Sequence, residues 1–262
     1  MRFSDYRPRH VLCILGKRGG FLELVRSMEL AIDDFADGFE VDAEFSQDTP
    51  DERMAEAFNA SWDRVHESAW DATDGIAVHE HGCVVYVLGP YMDPGNAVEI
   101  SAIALRLVIH ALNNGATAVK GESAGVAHGV ARWRQIGRDA ETLVEGHLLA
   151  RLCRLAFSRR PLCDDGSFLS VGFHLIGLPE VFVSTALAED ELALTAILDA
   201  IAEELYIHGV EKTLALRSAV LLPVDGYDED ELKYNPYGAV HVQSFDEHEL
   251  QDWSSERPVL LC

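Results

Sequence analysis

Residues 10–45, HVLCILGKRGGFLELVRSMELAIDDFADGFEVDAEF, carry three successive hydrophobic patterns. Residues 10–15 form a short apolar run that ends at the glycine-rich sequence GKRGG, as a buried strand followed by a turn does. Across residues 21–35 apolar residues recur near helical spacing, and Gly38 ends that pattern. Residues 39–45 alternate apolar and acidic residues, with the period of a half-exposed strand. The stretch therefore predicts a β-α-β opening.

The rest of the chain continues this mixture. Helices are predicted at residues 50–65, 96–112, 126–136, 141–157 and 189–206. Strands are predicted at residues 75–78, 83–88, 116–120, 168–176, 181–185, 213–222 and 239–245. Strands and helices alternate irregularly, with hairpin-like pairs, so the pattern favours an α+β fold with a mixed or antiparallel sheet covered by helices.

A polar break, SRRPLCDDG at residues 158–166, is the best internal boundary. It predicts an N-terminal α/β half at residues 1–158 and a C-terminal α+β half at residues 167–262. The two halves are expected to pack closely, either as two ferredoxin-like halves or as a single domain.

The charge is strongly negative and unevenly distributed. The 262 residues carry 44 acids and 21 bases, a net charge of -23, with a neutral middle and acidic flanks. Such a field repels phosphate backbones and anionic lipid, so the sequence predicts neither a nucleic-acid nor a membrane partner. A basic protein partner would be attracted, although solubility alone also accounts for an acidic surface.

The acidic and aromatic stretch DGYDEDELKYNPYG, residues 225–238, is the first candidate for contact with a basic partner. Carboxylates pair with guanidinium groups, and tyrosine supplies rigid contact area. A solvated connection between two strands is the alternative, and the N-terminal acids are also available for contact. The predicted partner-binding residues are Tyr227, Asp228, Glu229, Asp230, Glu231 and Tyr234.

Residues 121–125, GESAG, match the G-x-S-x-G pattern of serine hydrolases. In an enzyme, Ser123 would be the nucleophile, with Asp225 as the orienting acid and His241 or His248 as the base. In the structural alternative, Ser123 caps a following helix and the glycines serve a strand-to-helix turn. The irregular order of elements after Ser123 favours the structural alternative.

Other residue types typical of functional sites are better explained structurally. His79, His81 and Cys83 would share one face of a strand, but no second cluster completes a metal site. The glycines at residues 16–20 match neither dinucleotide-binding nor P-loop patterns, so a tight turn is expected. We therefore expect no metal and no cofactor.

Five cysteines, an odd number without a C-x-x-C pair, indicate reduced core thiols. The N-terminal apolar run is too short for a signal peptide, so a cytoplasmic location is expected. The sequence leaves the oligomeric state open.

Residues 115–128, GATAVKGESAGVAH, and residues 172–209, which begin GFHLIGLPEVFV, resemble a bacterial domain of unknown function, the one numbered 4261. The likeness extends over residues 110–245, about half of the chain. It implies a strand, a Gly-Leu turn at Gly177 and Leu178, an acid at Glu180, a strand and a long helix. It also implies that residues 121–125 form a shared β-α turn, and it brings no established catalytic residues.

These observations predict a non-enzymatic, acidic protein-binding protein. Its sharper form is an immunity protein that neutralises a basic toxin domain by covering the active site of the toxin. The alternative is a serine hydrolase or esterase that uses Ser123, and a small-molecule sensor without catalysis is a third possibility.

Overall fold

The computed structural model describes residues 7–61, 70–143, 146–159, 168–187, 191–223 and 235–242. The chain divides into two compact units. The first contains Met1–Arg159 and Gly172–Gly177, and the second contains Arg160–Val171 and Leu178–Cys262. Helices and sheets occur in both units, so the predicted α+β class is confirmed. None of the helices in the described ranges is both long and apolar enough to cross a membrane.

The first unit is built on a five-stranded sheet in which all neighbours are antiparallel. Its strands are β1 (Val11–Gly16), β2 (Glu40–Gln47), β3 (Cys83–Leu88), β4 (Ala116–Gly121) and β5 (Val126–His128). Their order is β2-β3-β1-β4-β5. Helix α1 (Phe21–Phe35) connects β1 to β2, and α4 (Ala97–Asn113) connects β3 to β4. The first four strands and these two helices therefore have the β-α-β-β-α-β connectivity of ferredoxin-like proteins.

Two short helices between β2 and β3 modify this connectivity. They are α2 (Met54–Asn59) and α3 (Ala72–His79). Met54 and Phe58 of α2 and Val78 of α3 are buried in one cluster with Cys13 and Leu15 of β1. Because side chains alternate along a strand, this cluster covers one face of the sheet, and Leu12 and Ile14 point to the other.

Three helical segments complete the first unit. They are α5 (Val130–Thr142), α6 (Gly146–Phe157) and a 3-10 helix at Phe173–Ile176. Helix α6 contacts α4, α5 and the 3-10 helix. All four residues of the 3-10 helix are buried. The first unit thus draws part of its core from beyond residue 159.

The second unit contains a smaller, mixed sheet. Its strands are β6 (Phe168–Leu169), β7 (Glu180–Val183), β8 (Val220–Leu222) and β9 (Ala239–Val242), in the order β6-β7-β9-β8. Strands β7 and β9 are parallel, and the other neighbours are antiparallel. Helix α7 (Glu191–His208) packs on β7, and α8 (Val210–Leu216) follows it. This sheet differs from the all-antiparallel sheet of the first unit.

The prediction of a strand at residues 75–78 is wrong, because these residues belong to α3. Asp71 caps that helix, since its side chain accepts hydrogen bonds from the backbone N–H groups of Thr73 and Asp74. The Asp74 side chain in turn accepts the backbone N–H of Asp71 at 2.9 Å. This reciprocal capping box starts a helix where the apolar pattern alone suggested a strand.

Three further predictions were wrong at the level of short elements. Residues 126–128 form β5, and the helix predicted from residue 126 begins at Val130. Residues 213–216 end α8, so the strand predicted at residues 213–222 is reduced to β8. Residues 173–176 form a 3-10 helix in place of a strand.

Candidate functional site

Ser123 lies in the turn at residues 122–125, which joins the antiparallel strands β4 and β5. Its hydroxyl donates a hydrogen bond to the carbonyl of Arg9 at 2.7 Å and accepts one from the N–H of Val11 at 2.9 Å. Gly125 has a φ of 62°, a left-handed conformation that glycine adopts without strain. The serine therefore ties the chain entering β1 to the β4–β5 turn.

The GESAG sequence is thus a strand-turn-strand feature. A nucleophile elbow requires a strand, a sharp turn and a helix, and the next helix begins only at Val130. The alternative expectation that Ser123 caps a helix is wrong for the same reason, as is the β-α turn implied by the resemblance. The hydroxyl proton of Ser123 is engaged by the carbonyl of Arg9, not by a histidine.

Of the predicted catalytic partners of Ser123, only His241 lies within the described residues. His241 lies on β9 of the second unit and stacks on Phe182, with ring centroids 4.5 Å apart. Burial lowers the pKa of His241. Asp225 and His248 lie outside the described residues, so their proposed roles stay predictions, and the observed hydrogen bonds of the Ser123 hydroxyl are those to Arg9 and Val11.

The HEHGC residues each have a separate structural position. His79 is the exposed last residue of α3, and Cys83 begins β3. His81 is buried, with its Nδ1 2.6 Å from the carbonyl of Val78 and its Nε2 accepting the N–H of Asp51 at 2.9 Å. The three side chains therefore do not share one face of a strand, the arrangement that a metal site would need, whereas Cys83 is buried in the core. Within the described ranges, no group of three or more His, Cys, Asp or Glu residues could hold a metal ion.

The GKRGG sequence forms a tight turn between β1 and α1. The N–H of Gly20 donates to the carbonyl of Lys17 at 3.0 Å. Gly82 packs directly on this turn, since a Cβ at Gly82 would lie 2.2 Å from the Cα of Arg18. The predicted turn is confirmed, and Gly82 packs against it.

A row of polar side chains crosses the sheet of the first unit and was missed in the sequence. Tyr86 of β3 and Lys120 of β4 are both paired with Cys13 of β1. The Nζ atom of Lys120 lies 3.0 Å from a carboxylate oxygen of Glu122, and the Lys120 side chain is only 8% exposed. The one available signal was a single lysine in the otherwise uncharged strand sequence ATAVKG.

The side chains of this polar row are chemically unreactive. Burial raises the pKa of the Cys13 thiol to about 12, and the nearby carboxylate of Glu122 adds to the effect. The thiol is therefore protonated at neutral pH and is a poor nucleophile. Lys120 is neutralised by Glu122, so the row is best explained as a buried polar network of the sheet.

An acidic surface covers α1 and β2 and the segments next to them. Residues 21–49 contain nine carboxylates and a single base, Arg26. Eight of the nine are exposed, and none of them forms an ion pair within the described structure. We call this the acidic α1–β2 surface, and its carboxylates are Glu23, Glu29, Asp33, Asp34, Asp37, Glu40, Asp42, Glu44 and Asp48.

Three large apolar side chains of residues 21–49 are also exposed. Leu22 and Leu30 of α1 are 76% and 60% exposed, and Phe45 of β2 is 64% exposed. Leu22 and Leu30 are eight residues apart, which places them on one side of the helix. Exposed apolar side chains among charges provide the anchors that protein interfaces use.

The loop predicted to bind a partner lies outside the described residues. This applies to Tyr227, Asp228, Glu229, Asp230, Glu231 and Tyr234, whose role stays a prediction. The residue that follows them, Asn235, is buried and donates hydrogen bonds to Glu180 at 2.9 Å and to the carbonyl of Leu178 at 3.1 Å. Ser170 donates to the other oxygen of Glu180 at 2.6 Å. Glu180 therefore anchors the end of this loop to β7.

Comparison of the chain with protein-family models, with curated proteins and with solved structures finds no match. The resemblance to the bacterial domain numbered 4261 therefore stays a prediction. Function has to be argued from the chain's own residues.

Proposed function

We propose that this protein is a non-enzymatic binding protein that recognises a basic protein partner through the acidic α1–β2 surface. The supporting observation is the density of unneutralised charge, nine carboxylates and one base within residues 21–49. Like charges at this density repel one another, and the field they create attracts cations. Lysine and arginine side chains of a partner would relieve the repulsion and pair with the carboxylates.

The geometry of β2 favours recognition by side chains. Among the described strands, β2 pairs only with β3, so it is an edge strand. Its pairing is interrupted between Asp42 and Gln47, and Asp42 accepts the N–H groups of Glu44 and Phe45. Such an irregular, charged edge discourages the addition of another strand. Contact through Phe45 and the neighbouring carboxylates is the remaining mode of binding.

The sharper form of the proposal is an immunity protein. A toxin that acts on nucleic acid or another anionic substrate has a basic cleft, and an acidic surface placed over that cleft excludes the substrate. Charge attraction would also make association fast, which suits neutralisation of a toxin. The support for this form is the charge of the surface together with its exposed apolar anchors.

Two side chains that could act as nucleophiles are held in unreactive arrangements. The Ser123 hydroxyl is held by the backbone of Arg9 and Val11, and the Cys13 thiol is buried and protonated. The hydrolase alternative would require Ser123 to leave the carbonyl of Arg9 and meet a base. The observed hydrogen bonds of Ser123 among the described residues are with the backbone of Arg9 and Val11.

Affinity capture with a charge-neutralised variant tests the proposal. The surface variant carries Glu29→Gln, Asp33→Asn and Asp34→Asn. The control variant carries Glu80→Gln, Glu99→Gln and Glu211→Gln, which changes the net charge equally at exposed sites outside this surface. Each protein is immobilised, incubated with bacterial lysate, and the retained proteins are identified by mass spectrometry.

We expect the wild type and the control variant to retain the same basic protein, and the surface variant to lose it. The retained basic protein should also be released from the wild type and the control variant in 1 M NaCl, because the screening length falls from about 8 Å at physiological salt to about 3 Å. Equal retention by the surface variant, or retention that 1 M NaCl does not weaken, would contradict the proposal.

A further inference from the structure

A cavity of about 350 Å³ lies along α4 in the first unit, bordered by α1, α5 and α6. The α4 residues that line it recur every three or four positions, so they form one continuous stripe of the helix. With a rise of 1.5 Å per residue, this stripe is about 16 Å long. The α4 lining residues are Ala102, Leu105, Arg106, Ile109, His110 and Asn113.

The floor and one wall of the cavity are apolar. Leu105 is buried, and Ala140 of α5 and Leu149 of α6 are half-buried. Helix α5 comes close to α4 at Gly137, where an added Cβ would lie 2.5 Å from Cγ1 of Ile109. This part of the cavity suits a hydrocarbon body.

The wall nearest α1 combines two polar residues of α4, Arg106 and His110, with the ring of Phe35 of α1, and its side chains are held in place. The guanidinium of Arg106 lies over the ring of Phe35, 4.2 Å from its centroid. His110 shares a hydrogen bond of 2.9 Å with Ser27 and also contacts the ring of Phe35. The aromatic ring and the histidine therefore restrict the conformations of this wall before any ligand arrives.

Arg106 has no carboxylate partner in the described structure, although the chain has 44 acids and 21 bases. A planar guanidinium presents paired donors that match a carboxylate. Glu141 also lines the cavity, so a ligand with two negative charges would be repelled. Arg106 is thus suited to a single anionic group.

We propose that this cavity binds a small amphiphile with an apolar chain and one carboxylate, with the carboxylate on Arg106 and the chain along Leu105, Ile109 and Ala140. The volume is at the lower end of the range for ligand pockets, about 300–1,000 Å³, so the ligand is small. The inference does not depend on the acidic α1–β2 surface, because none of the nine carboxylates of that surface lines the cavity.

Calorimetric titration tests the proposal with three probes of equal chain length, sodium decanoate, decan-1-ol and decylammonium. We expect saturable 1:1 binding of decanoate that is at least 10-fold tighter than binding of decylammonium. Arg106→Gln should weaken decanoate at least 10-fold and leave decan-1-ol unchanged, since the alcohol lacks the charge that Arg106 recognises. Arg138→Gln, an exposed arginine of α5 outside the lining, is the matched control and should bind decanoate like the wild type.

Ala140→Leu fills the apolar part of the cavity and should weaken decanoate and decan-1-ol alike. The proposal is overturned if decanoate shows no saturable 1:1 binding, if Arg106→Gln binds it as tightly as the wild type does, or if decylammonium binds equally well. Arg106 is exposed, so its replacement leaves the core intact and any change in binding is interpretable.

Discussion

His10 illustrates how one buried side chain connects distant parts of the first unit. Its Nε2 lies 2.7 Å from Oγ of Ser101, and that hydroxyl donates its proton to the carbonyl of Leu175 at 2.5 Å. Because the only hydroxyl proton is used in this way, Nε2 of His10 carries a proton and donates to Ser101. Burial, and to a lesser extent the charge of His174, lowers the pKa of His10 to about 3.

This shift predicts a pH dependence of stability. The unfolded chain binds a proton at His10 below about pH 6.5, whereas the folded chain does so only near pH 3. The stabilisation is therefore complete above pH 6.5 and is lost as the pH falls towards 3. The contribution of His10 to the free energy of unfolding should fall by about 2 kcal/mol between pH 7 and pH 5.

Urea denaturation of the wild type and His10→Gln at pH 5, 6 and 7 measures this contribution. The variant should show the smaller loss of stability on acidification. Thr142→Ala, which changes an exposed side chain that does not titrate in this pH range, is the control and should retain the wild-type slope. An equal slope for His10→Gln would mean that His10 gains a proton in the folded protein.

A second prediction concerns Ser123. Ser123→Ala removes the acceptor of the Val11 N–H and the donor to the Arg9 carbonyl, so the free energy of unfolding should fall by about 1–3 kcal/mol. Thr142→Ala, at an exposed helix end, should change it by less than about 0.5 kcal/mol. The measurement is urea denaturation of both variants.

The same serine should be unreactive. Intact-mass analysis of the wild type after treatment with a fluorophosphonate should show no adduct, and an adduct that Ser123→Ala abolishes would identify Ser123 as a nucleophile.

The sequence around Ser123 indicated a turn but could not identify its partners. Arg9 and Val11 are more than 100 residues away along the chain, and only the folded sheet brings them to the hydroxyl. Lys120 gave a weak signal as an isolated charge, whereas Arg106 gave none, because an arginine on a helix is ordinary. The contacts that define these sites are non-local, so residue patterns alone cannot reveal them.

At the scale of elements, the length of a helix or strand decided how well its position could be predicted from the sequence. The prediction for α1 matches its observed bounds, Phe21–Phe35, because fifteen residues contain four helical turns of periodic pattern. Helix α3 and strand β5 are eight and three residues long, and over so few positions the helical period of 3.6 residues cannot be distinguished from the strand period of two. For α3, the capping box that begins at Asp71 was the more informative signal.

Two glycines in and after α3 give opposite predictions for the same substitution. Gly82→Ala would place a Cβ 2.2 Å from the Cα of Arg18, so the β1–α1 turn must move, at a cost of about 1–3 kcal/mol. Gly75→Ala meets nothing closer than 3.9 Å inside a helix and should stabilise the protein by up to about 1 kcal/mol. Thermal unfolding of the two variants measures the difference. Equal destabilisation by both would show that the close packing at Gly82 is not the cause.

For the whole molecule, the sequence predicted the fold class but not the order of strands. Alternating apolar patterns show that strands exist, whereas the order β2-β3-β1-β4-β5 depends on pairing between residues far apart in the chain. The charge excess was visible directly. The exposure of eight of the nine carboxylates in residues 21–49, and of Leu22, Leu30 and Phe45, required the structure.

The division into units predicts how truncated chains behave. Gly172–Gly177 belongs to the first unit, and Phe173, Leu175 and Ile176 are buried there. A fragment of residues 1–166 loses these three side chains and should be less stable than residues 1–178 by about 4.5–9 kcal/mol, at about 1.5–3 kcal/mol for each buried side chain. We expect residues 1–178 to unfold cooperatively in circular dichroism and residues 1–166 to melt earlier and bind a hydrophobic dye. Equal melting temperatures would contradict this expectation.

Because Gly172–Gly177 belongs to the first unit, the division also constrains how the protein folds during synthesis and how its gene can recombine. A nascent chain leaves the ribosome from its N-terminus at about 5–20 residues per second, so the first unit stays incomplete until the 3-10 helix has emerged. By then the ribosome has already translated residues 160–171 of the second unit. A recombination event that cut the gene at residue 159 would separate the first unit from its 3-10 helix, and a cut at residue 178 would separate the second unit from residues 160–171, so the two units are expected to be inherited together.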